Sequence, residues 1–269
     1  AVVRSFNSTR KAFWYAWAIA ACLLGMASKE VMATAPVMVL LYDRAFLSGS
    51  FKKSLMQRRP LYLGLSATWV LLGLLVFSHK DRAGTAGFGL GVEWWAYALT
   101  QCQAIVRYLG LAVWPQGLVF DYGAGVVRDF ATVWPQASIL LVLLAATAYA
   151  TLRQPKLGFV GCWFFGILAP SSSVVPLATQ TTAEHRMYLP LIAVVALAAL
   201  GLFTKANKNA GLVVVGVFAS LLGWKTVQRN EVYKSAVALW GDTISKRPEN
   251  ARAYKELGNV LEGAGRTSE

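Results

Sequence analysis

Long apolar runs recur along the chain, and short polar or basic links separate them. The hydrocarbon core of a bilayer is about 30 Å thick and needs about 20 apolar residues of helix, so such runs indicate membrane helices. The runs are residues 12–28, 31–43, 61–78, 136–152, 157–169, 187–204 and 211–224. The pattern predicts an all-α protein whose main part is a polytopic transmembrane helix bundle of about seven spans.

The first two runs lie so close together that they can form one helix or two. A single straight helix over 12–43 would be about 46 Å long, which is too long for one span. The polar pair Lys29-Glu30 lies between the runs, and we expect two helices that meet there. Pro36 allows a kink in the second helix. One long tilted helix is the alternative.

Residues 96–114 are also apolar, but Gln101, Gln103 and Arg107 interrupt them. We expect this segment to lie in the membrane interface or to re-enter rather than to cross. The strongly basic links then all fall on one side, as the bias of Lys and Arg toward the cytoplasm requires. These links are residues 44–60, 153–156 and 205–209, together with the basic N-terminus.

With this topology, one set of polar regions lies on the extracytoplasmic side. The set comprises the Lys29-Glu30 break, residues 79–135, residues 170–186 and the C-terminal tail. If residues 96–114 cross the membrane instead, the links at 153–156 and 205–209 move to the outside.

The composition agrees with a bilayer environment. The chain is 56% hydrophobic and only 14% charged, whereas a soluble domain is about 25% charged. Its net charge of +13 comes from Lys and Arg in the links between apolar runs. Little soluble basic surface is left for nucleic acid, which we exclude as a partner. The three cysteines lie in apolar surroundings without a CxxC pair, which predicts buried free thiols.

The segment 181–190, Thr-Thr-Ala-Glu-His-Arg-Met-Tyr-Leu-Pro, places ionisable residues at the entrance of an apolar run. Ionisable groups at membrane depth are costly and are usually paired or functional. Glu184, His185 and Arg186 share the extracytoplasmic face with Lys29-Glu30, and Arg107, Asp121 and Tyr122 can reach that face. Arginine and lysine are the usual protein partners of phosphate, so the cluster suits an anionic lipid headgroup.

A purely structural role is the alternative, because basic side chains near helix ends often extend to water and do nothing else. This alternative is strongest for His185 or Lys29 taken alone and weaker for Glu184 with Arg186. The loop 170–182 is polar and bounded by prolines. It is either a lid that lines the substrate site or a plain connection.

After Trp224 the composition becomes polar and helical. A tetratricopeptide repeat has a 34-residue period with small, aromatic and proline residues at fixed places. With Pro248 at the late proline position, the other matching residues are Ala236, Trp240, Tyr254, Leu257, Gly258 and Leu261. We therefore divide the chain into a membrane domain, 1–226, and the start of a repeat solenoid, 227–269, with more repeats beyond. An amphipathic helical hairpin with accidental spacing is the alternative.

Residues 28–46, 107–123 and 170–191, followed by the start of a tetratricopeptide repeat, resemble one family in their order and spacing. It is the membrane glycosyltransferases of the GT-C type that carry tetratricopeptide repeats, which include bacterial relatives of the O-mannosyltransferases acting on cadherins. The resemblance implies transfer of a sugar from a polyprenyl-phosphate donor to a protein hydroxyl on the extracytoplasmic side. It also implies a bacterial inner membrane or an endoplasmic reticulum location, acceptor presentation by the repeats, and room for a divalent metal.

Under this resemblance, Lys29-Glu30 matches the family's Lys-Glu pair. Glu184 and Arg186 match its Glu-Arg before Tyr188-Leu-Pro, although His185 between them departs from the pattern. We expect Lys29 and Arg186 to hold the lipid phosphate, with Glu30 and Glu184 orienting them or water. The family's acidic catalytic motif lies upstream of these residues. The sequence is therefore expected to be a piece of a longer protein that is inactive alone.

Two other functions remain open. An O-antigen ligase or polymerase also uses lipid-linked sugars and can carry similar repeats. A non-catalytic membrane anchor that displays repeats to protein partners would tolerate substitution of Lys29, Glu184 and Arg186. A transporter is less favoured, because the spans show no inverted repeat.

Overall fold

The computed structural model describes residues 1–78, 91–173, 175–177 and 180–265. The chain is 78% helical, and its described residues hold no strand beyond an isolated bridge at Leu177. The helices are α1 Val2–Asn7, α2 Lys11–Ser28, α3 Ala35–Asp43, α4 Phe51–Gln57, α5 Arg59–Ser78, α6 Trp94–Val113, α7 Trp134–Arg153, α8 Pro155–Leu168, α9 Leu191–Lys205, α10 Lys208–Val232, α11 Ala236–Lys246 and α12 Ala251–Gly263. The prediction of an all-α bundle is confirmed.

The apolar helices make the chain a membrane protein. Within the described residues, 4 segments are long and apolar enough to cross a bilayer, namely Lys11–Ser28, Val31–Ser48, Trp134–Arg153 and Lys208–Val232. Shorter apolar helices cover Arg59–Leu75, Pro155–Leu168 and Leu191–Lys205. These segments coincide with the runs read from the sequence. The 20-residue helix α6 is not among the candidate spans, and its interfacial position stays a prediction.

The chain folds as two compact units. Unit 1 comprises Ala1–Gly84 and Leu141–Ser173, and unit 2 comprises Thr85–Leu140 and Val174–Glu269. The division between 226 and 227 expected from composition falls inside α10, which is a continuous helix; that division stays a prediction.

The core of unit 1 forms where α2 packs on α5. Its buried residues are Ala18, Cys22, Met26, Leu61, Tyr62 and Leu65. On α2 they recur every four residues, and on α5 Leu65 follows the adjacent pair Leu61 and Tyr62 by one helical turn, so one face of each helix is covered. Gly64 allows the close approach, since a Cβ there would lie 2.1 Å from Cδ1 of Ile19.

The predicted break at Lys29 is confirmed. Helix α2 ends at Ser28, and Lys29 is extended with φ −157° and ψ 135°. A 3-10 turn over Glu30–Thr34 follows before α3 begins. Pro36 does not kink the helix, contrary to expectation. It lies in the first turn of α3, where proline's missing N–H costs no helical hydrogen bond.

A buried polar cluster closes the end of α3. The carboxylate of Asp43 is fully buried. It accepts hydrogen bonds from Arg58 Nη1 at 3.0 Å to both oxygens, from Ser48 at 2.6 Å and from the Tyr62 hydroxyl at 2.6 Å. The cluster ties α3 to the link before α5. This is how the apolar segment accommodates a carboxylate.

Unit 2 is organised around α6, the irregular chain between α6 and α7, and two later helix pairs. Helix α9 packs on α10, and α11 packs on α12. The loop-like character predicted for 115–134 is confirmed except for a 3-10 turn at Phe130–Thr132 and the first residue of α7. We call α11 and α12 together the tail hairpin. The site described next lies wholly within unit 2.

Candidate functional site

The candidate site is built on the buried face of α6. This face comprises Ala96, Tyr97, Thr100, Gln101, Ala104, Ile105 and Tyr108. Its polar members hold the backbone of neighbouring segments. The Thr100 hydroxyl accepts the Val127 N–H at 2.9 Å, and the Gln101 amide donates to the Thr181 carbonyl at 2.9 Å. Gln101, one of the two glutamines that interrupt the apolar pattern of α6, therefore holds the segment 180–188 on this helix.

Arg186 locks that same segment onto α6. Its Nη1 donates to the Tyr97 hydroxyl at 3.2 Å and to the Thr181 carbonyl at 3.0 Å. Its Nη2 donates to the Gln180 carbonyl. The Tyr108 hydroxyl accepts a backbone N–H of the segment at 2.7 Å. The planar guanidinium thus bridges backbone carbonyls and a phenol, which is a positioning role.

Glu184 connects the segment to the loop that follows α6. Its Oε1 accepts the backbone N–H of Val119 at 2.8 Å and the hydroxyl of Tyr122 at 2.5 Å. Glu184 opens the 3-10 turn Glu184–Met187, so its carboxylate is presented by a short rigid element. Both partners are neutral donors, so neither of these contacts is an ion pair.

Two guanidinium groups lie over the ring of Tyr122. The Arg107 Cζ is 4.8 Å and the Arg247 Cζ is 5.0 Å from the ring centroid. Burial, and then the hydrogen bond to Glu184, raise the pKa of the Tyr122 phenol well above its ordinary value. Tyr122 therefore stays a protonated donor at physiological pH. The Nε of Arg107 is buried and has no hydrogen-bond partner among the described residues.

Asp121 shapes the turn that carries Tyr122. Its Oδ1 accepts the Gly123 N–H at 2.8 Å, and its Oδ2 is 3.6 Å from Arg252 Nη1. Gly123 has φ +77°, a left-handed conformation that glycine adopts without a steric penalty. The Asp121 carbonyl accepts the Asn250 amide at 3.0 Å.

The tail hairpin holds the same loop from a second direction. Lys246 Nζ donates to the Leu118 carbonyl at 2.9 Å. The ring of Phe120 packs edge-on against Trp240 at 5.2 Å and Tyr233 at 6.1 Å between centroids. The loop between α6 and α7 is therefore held by α6, by the segment 180–188 and by the tail.

The structure brings some of the expected residues together and leaves others apart. Arg107, Asp121, Tyr122, Glu184 and Arg186 form one connected network. His185 is exposed, and Tyr188 is 80% exposed.

The remaining pair lies in unit 1. Lys29 is exposed at the break there, and the side chain of Glu30 falls outside the described residues. The convergence of Lys29 with Arg186 stays a prediction.

Several residues that hold this network were not expected from the sequence. They are Tyr97, Gln101, Tyr108, Lys246, Arg247 and Asn250. The three residues on α6 carried a detectable signal, because they repeat with the helical period inside an apolar run. The three tail residues meet the loop from more than a hundred positions away, and no local pattern indicates that contact.

The network is suited to binding an anion. It combines two guanidinium groups, one half-buried phenol and one carboxylate within reach of the same loop. Among the residues that the structure describes, no three His, Cys, Asp or Glu side chains are grouped closely enough to hold a metal ion. The divalent metal allowed by the resemblance stays a prediction.

These features define a polytopic helical membrane protein with a partly buried ionic network beside one apolar helix. Curated relatives extend this picture. The chain is 23% identical over 94% of its length to "Protein O-mannosyl-transferase TMTC1" of Mus musculus, covering 27% of that protein. It is 27% identical over 59% of its length to "Protein O-mannosyl-transferase F38B6.6" of Caenorhabditis elegans, covering 24% of it. The human TMTC1 protein is 23% identical over 64% of the chain and is covered to 21%.

The resemblance inferred from the motifs is confirmed by these relatives. The chain spans about a quarter of the length of the curated proteins it matches. No family model matches the chain, and no solved structure gives a significant match.

Proposed function

We propose that this chain is part of an integral membrane glycosyltransferase of the GT-C type. The whole enzyme would transfer a sugar, mannose by analogy with the names of the relatives, from a polyprenyl-phosphate donor to a protein hydroxyl. The transfer would take place on the extracytoplasmic side. Support comes from the similarity to protein O-mannosyl-transferases along 94% of the chain and from its apolar helices.

The observation that carries the proposal is the Glu184–Tyr122–Arg107 arrangement. It lies where an apolar helix begins, which is the depth at which a lipid phosphate would be found. A carboxylate, a phenol and a guanidinium held in fixed positions there form a preorganised polar site. Such preorganisation is the usual source of transition-state stabilisation in group transfer.

The chemistry assigns each group a task. The acceptor hydroxyl oxygen forms a bond to the anomeric carbon, and the bond from that carbon to the phosphate oxygen breaks with its electron pair. The hydroxyl proton passes to a carboxylate base, which the resemblance places upstream of this chain. Arg107 would stabilise the charge that develops on the phosphate. Arg186, which already donates to several protein acceptors, would keep the segment 180–188 in register.

The tail hairpin fits the start of a tetratricopeptide array in this proposal. Helix α12 begins at Ala251, where the repeat frame starts its next repeat, and α11 carries Ala236 and Trp240, the frame's small and aromatic positions. Repeats that continue beyond the tail would present the protein acceptor. The bonds from Lys246 and Asn250 to the loop between α6 and α7 would hold that array close to Tyr122.

Transfer by the full-length protein tests the proposal. The assay follows mannose from polyprenyl-phosphate mannose into an acceptor polypeptide in proteoliposomes. Replacing Arg107 by Gln should lower the turnover about a hundredfold, the usual cost of losing one group that stabilises a developing negative charge. Arg107→Lys should keep part of the activity. Arg128→Gln is the matched control, since Arg128 is exposed and pairs at the surface with Glu93.

Two results would argue against this function. Unchanged turnover in Arg107→Gln would remove Arg107 from the reaction. An intact, correctly assembled wild-type protein that transfers no sugar would favour the non-catalytic anchor. Transfer to a lipid-linked glycan instead of a polypeptide would favour the ligase.

A further inference from the structure

Unit 2 contains a polar cavity whose lining does not include Glu184, Tyr122 or Arg107. Its volume is about 370 Å³. The turn at 115–118, the last turns of α10 and one face of α11 line this open cavity. A cavity of this size accommodates a small polar group, such as a headgroup, rather than a whole lipid.

The lining is strongly basic. Lys225, Arg229 and Lys246 face the cavity together with the single carboxylate Asp242. That carboxylate accepts from Arg229 Nη1 at 2.6 Å and from Lys246 Nζ at 2.7 Å. Lys225 is not part of this ion pair, and its Nζ lies 4.6 Å from the centroid of the Trp114 ring. One negative charge therefore faces three positive charges, and an excess of positive charge remains.

Arg229 has hydrogen-bonding capacity that the protein does not use. Its guanidinium lies over the ring of Tyr233 at 5.2 Å from the centroid. The Nε and Nη2 atoms are buried and donate to no acceptor among the described residues. Buried donors of a charged group are normally satisfied. Because these two atoms have no accessible surface, a ligand in the cavity would meet Arg229 through its positive charge.

The position of the cavity relates it to the bilayer. Lys225 and Arg229 are one helical turn apart on α10, directly after the apolar stretch 211–224 of a candidate span. Cations in this position lie at the level of lipid headgroups, where anionic lipids attract them. Trp224 is exposed, as is common for tryptophan at the membrane–water interface.

We propose that this cavity binds a phosphate-bearing anion, and that its ligand is the headgroup of an anionic phospholipid beside α10. Lys225 at the rim and the excess positive charge of the lining attract the phosphate. Binding is non-covalent. The bound headgroup connects α10 with the turn at 115–118 and with α11, and so fixes the tail against the membrane surface. This inference does not depend on the proposed enzymatic activity.

Native mass spectrometry of the full-length protein in detergent micelles tests the site. Dioleoyl phosphatidylglycerol and dioleoyl phosphatidylcholine are titrated separately, and the retained lipid is counted. The wild type should retain phosphatidylglycerol in preference to phosphatidylcholine. Lys225→Gln should weaken phosphatidylglycerol binding about fivefold, the effect of one juxtamembrane cation.

Lys234→Gln is the matched control, because Lys234 is exposed and pairs with Glu231 away from the cavity. It should leave binding unchanged. Arg229→Gln removes a second positive charge from the lining and should also weaken binding. An Arg229 variant loses its ion pair with Asp242 and could fail to fold. Lys225→Gln breaks no such pair among the described residues, so its result decides the test in that case.

Competition by glycerol 3-phosphate identifies the source of the phosphate. Displacement of phosphatidylglycerol at millimolar concentrations would assign recognition to the phosphate group itself. Persistence of phosphatidylglycerol, with the Lys225→Gln effect intact, would assign it to a lipid headgroup at the bilayer. Equal retention of the two lipids, or equal losses in Lys225→Gln and Lys234→Gln, would overturn the proposal.

Discussion

Replacing Asp43 by Asn should destabilise unit 1 more than any exposed charge change. The carboxylate is fully buried and accepts from Arg58, Ser48 and Tyr62. An asparagine of the same shape turns one acceptor oxygen into a donor, so a donor faces a donor and Arg58 loses its counter-ion. Breaking a buried ion pair costs about 3–5 kcal/mol. Because Arg58 is 16% exposed and can be partly hydrated, we expect about 3 kcal/mol.

The expected loss can be read from thermal unfolding in detergent. For a chain of this size each kcal/mol lowers the midpoint by about 2–4 °C, which predicts a decrease of about 6–12 °C. A thiol-reactive dye reports the unfolding, because Cys22 is buried in the core of α2 and α5. Glu231→Gln, at an exposed ion pair, is the control and should change the midpoint by less than about 2 °C. A midpoint for Asp43→Asn no lower than that of the control would refute this account of the cluster.

Two further substitutions test other contacts. Gly158→Ala should lower the free energy of unfolding by about 1–3 kcal/mol, because a Cβ at Gly158 would lie 2.3 Å from the Thr151 Cα. Gly216 has open space around it, so Gly216→Ala should be neutral or stabilising in the same unfolding assay. Burial alone would raise the pKa of Asp242, but hydrogen bonds from a lysine and an arginine outweigh it and the pKa lies below its ordinary value. The tail hairpin should therefore keep this stabilisation above about pH 4 and lose it as the pH falls further. Trp240 fluorescence should follow that loss, and Asp242→Asn should abolish its pH dependence; an unaltered pH profile would contradict the assignment.

The membrane helices could be predicted because each depends on local composition. An apolar run of suitable length forms a helix in a bilayer whatever its neighbours are, and the break at Lys29 follows from the polar pair between two runs. Pro36 was assigned to a kink because periodicity does not reveal that a 3-10 turn precedes it. A proline that begins a helix and a proline that bends one look alike in sequence.

The site could be predicted only in part. The segment carrying Glu184 and Arg186 was identifiable because charges are rare in this chain, but their roles depend on distant partners. The sequence predicts that Arg186 binds a phosphate. In the structure its N–H groups donate to the Tyr97 hydroxyl and to backbone carbonyls of the protein. The network around Asp43 was not predicted, although a carboxylate at the end of an apolar run indicates that a charged partner lies nearby.

A single side-chain amide belongs to two parts of unit 2 at once. Asn250 caps α12 by accepting the Ala253 N–H at 3.3 Å, and it donates to the Asp121 carbonyl at 3.0 Å. The first turn of α12 and the Tyr122 turn thus share the hydrogen bonds of one side chain. A chimaera that joins foreign repeats after residue 249 would have to keep an asparagine at position 250. Without it, the loop between α6 and α7 would lose its hydrogen bond to the repeats.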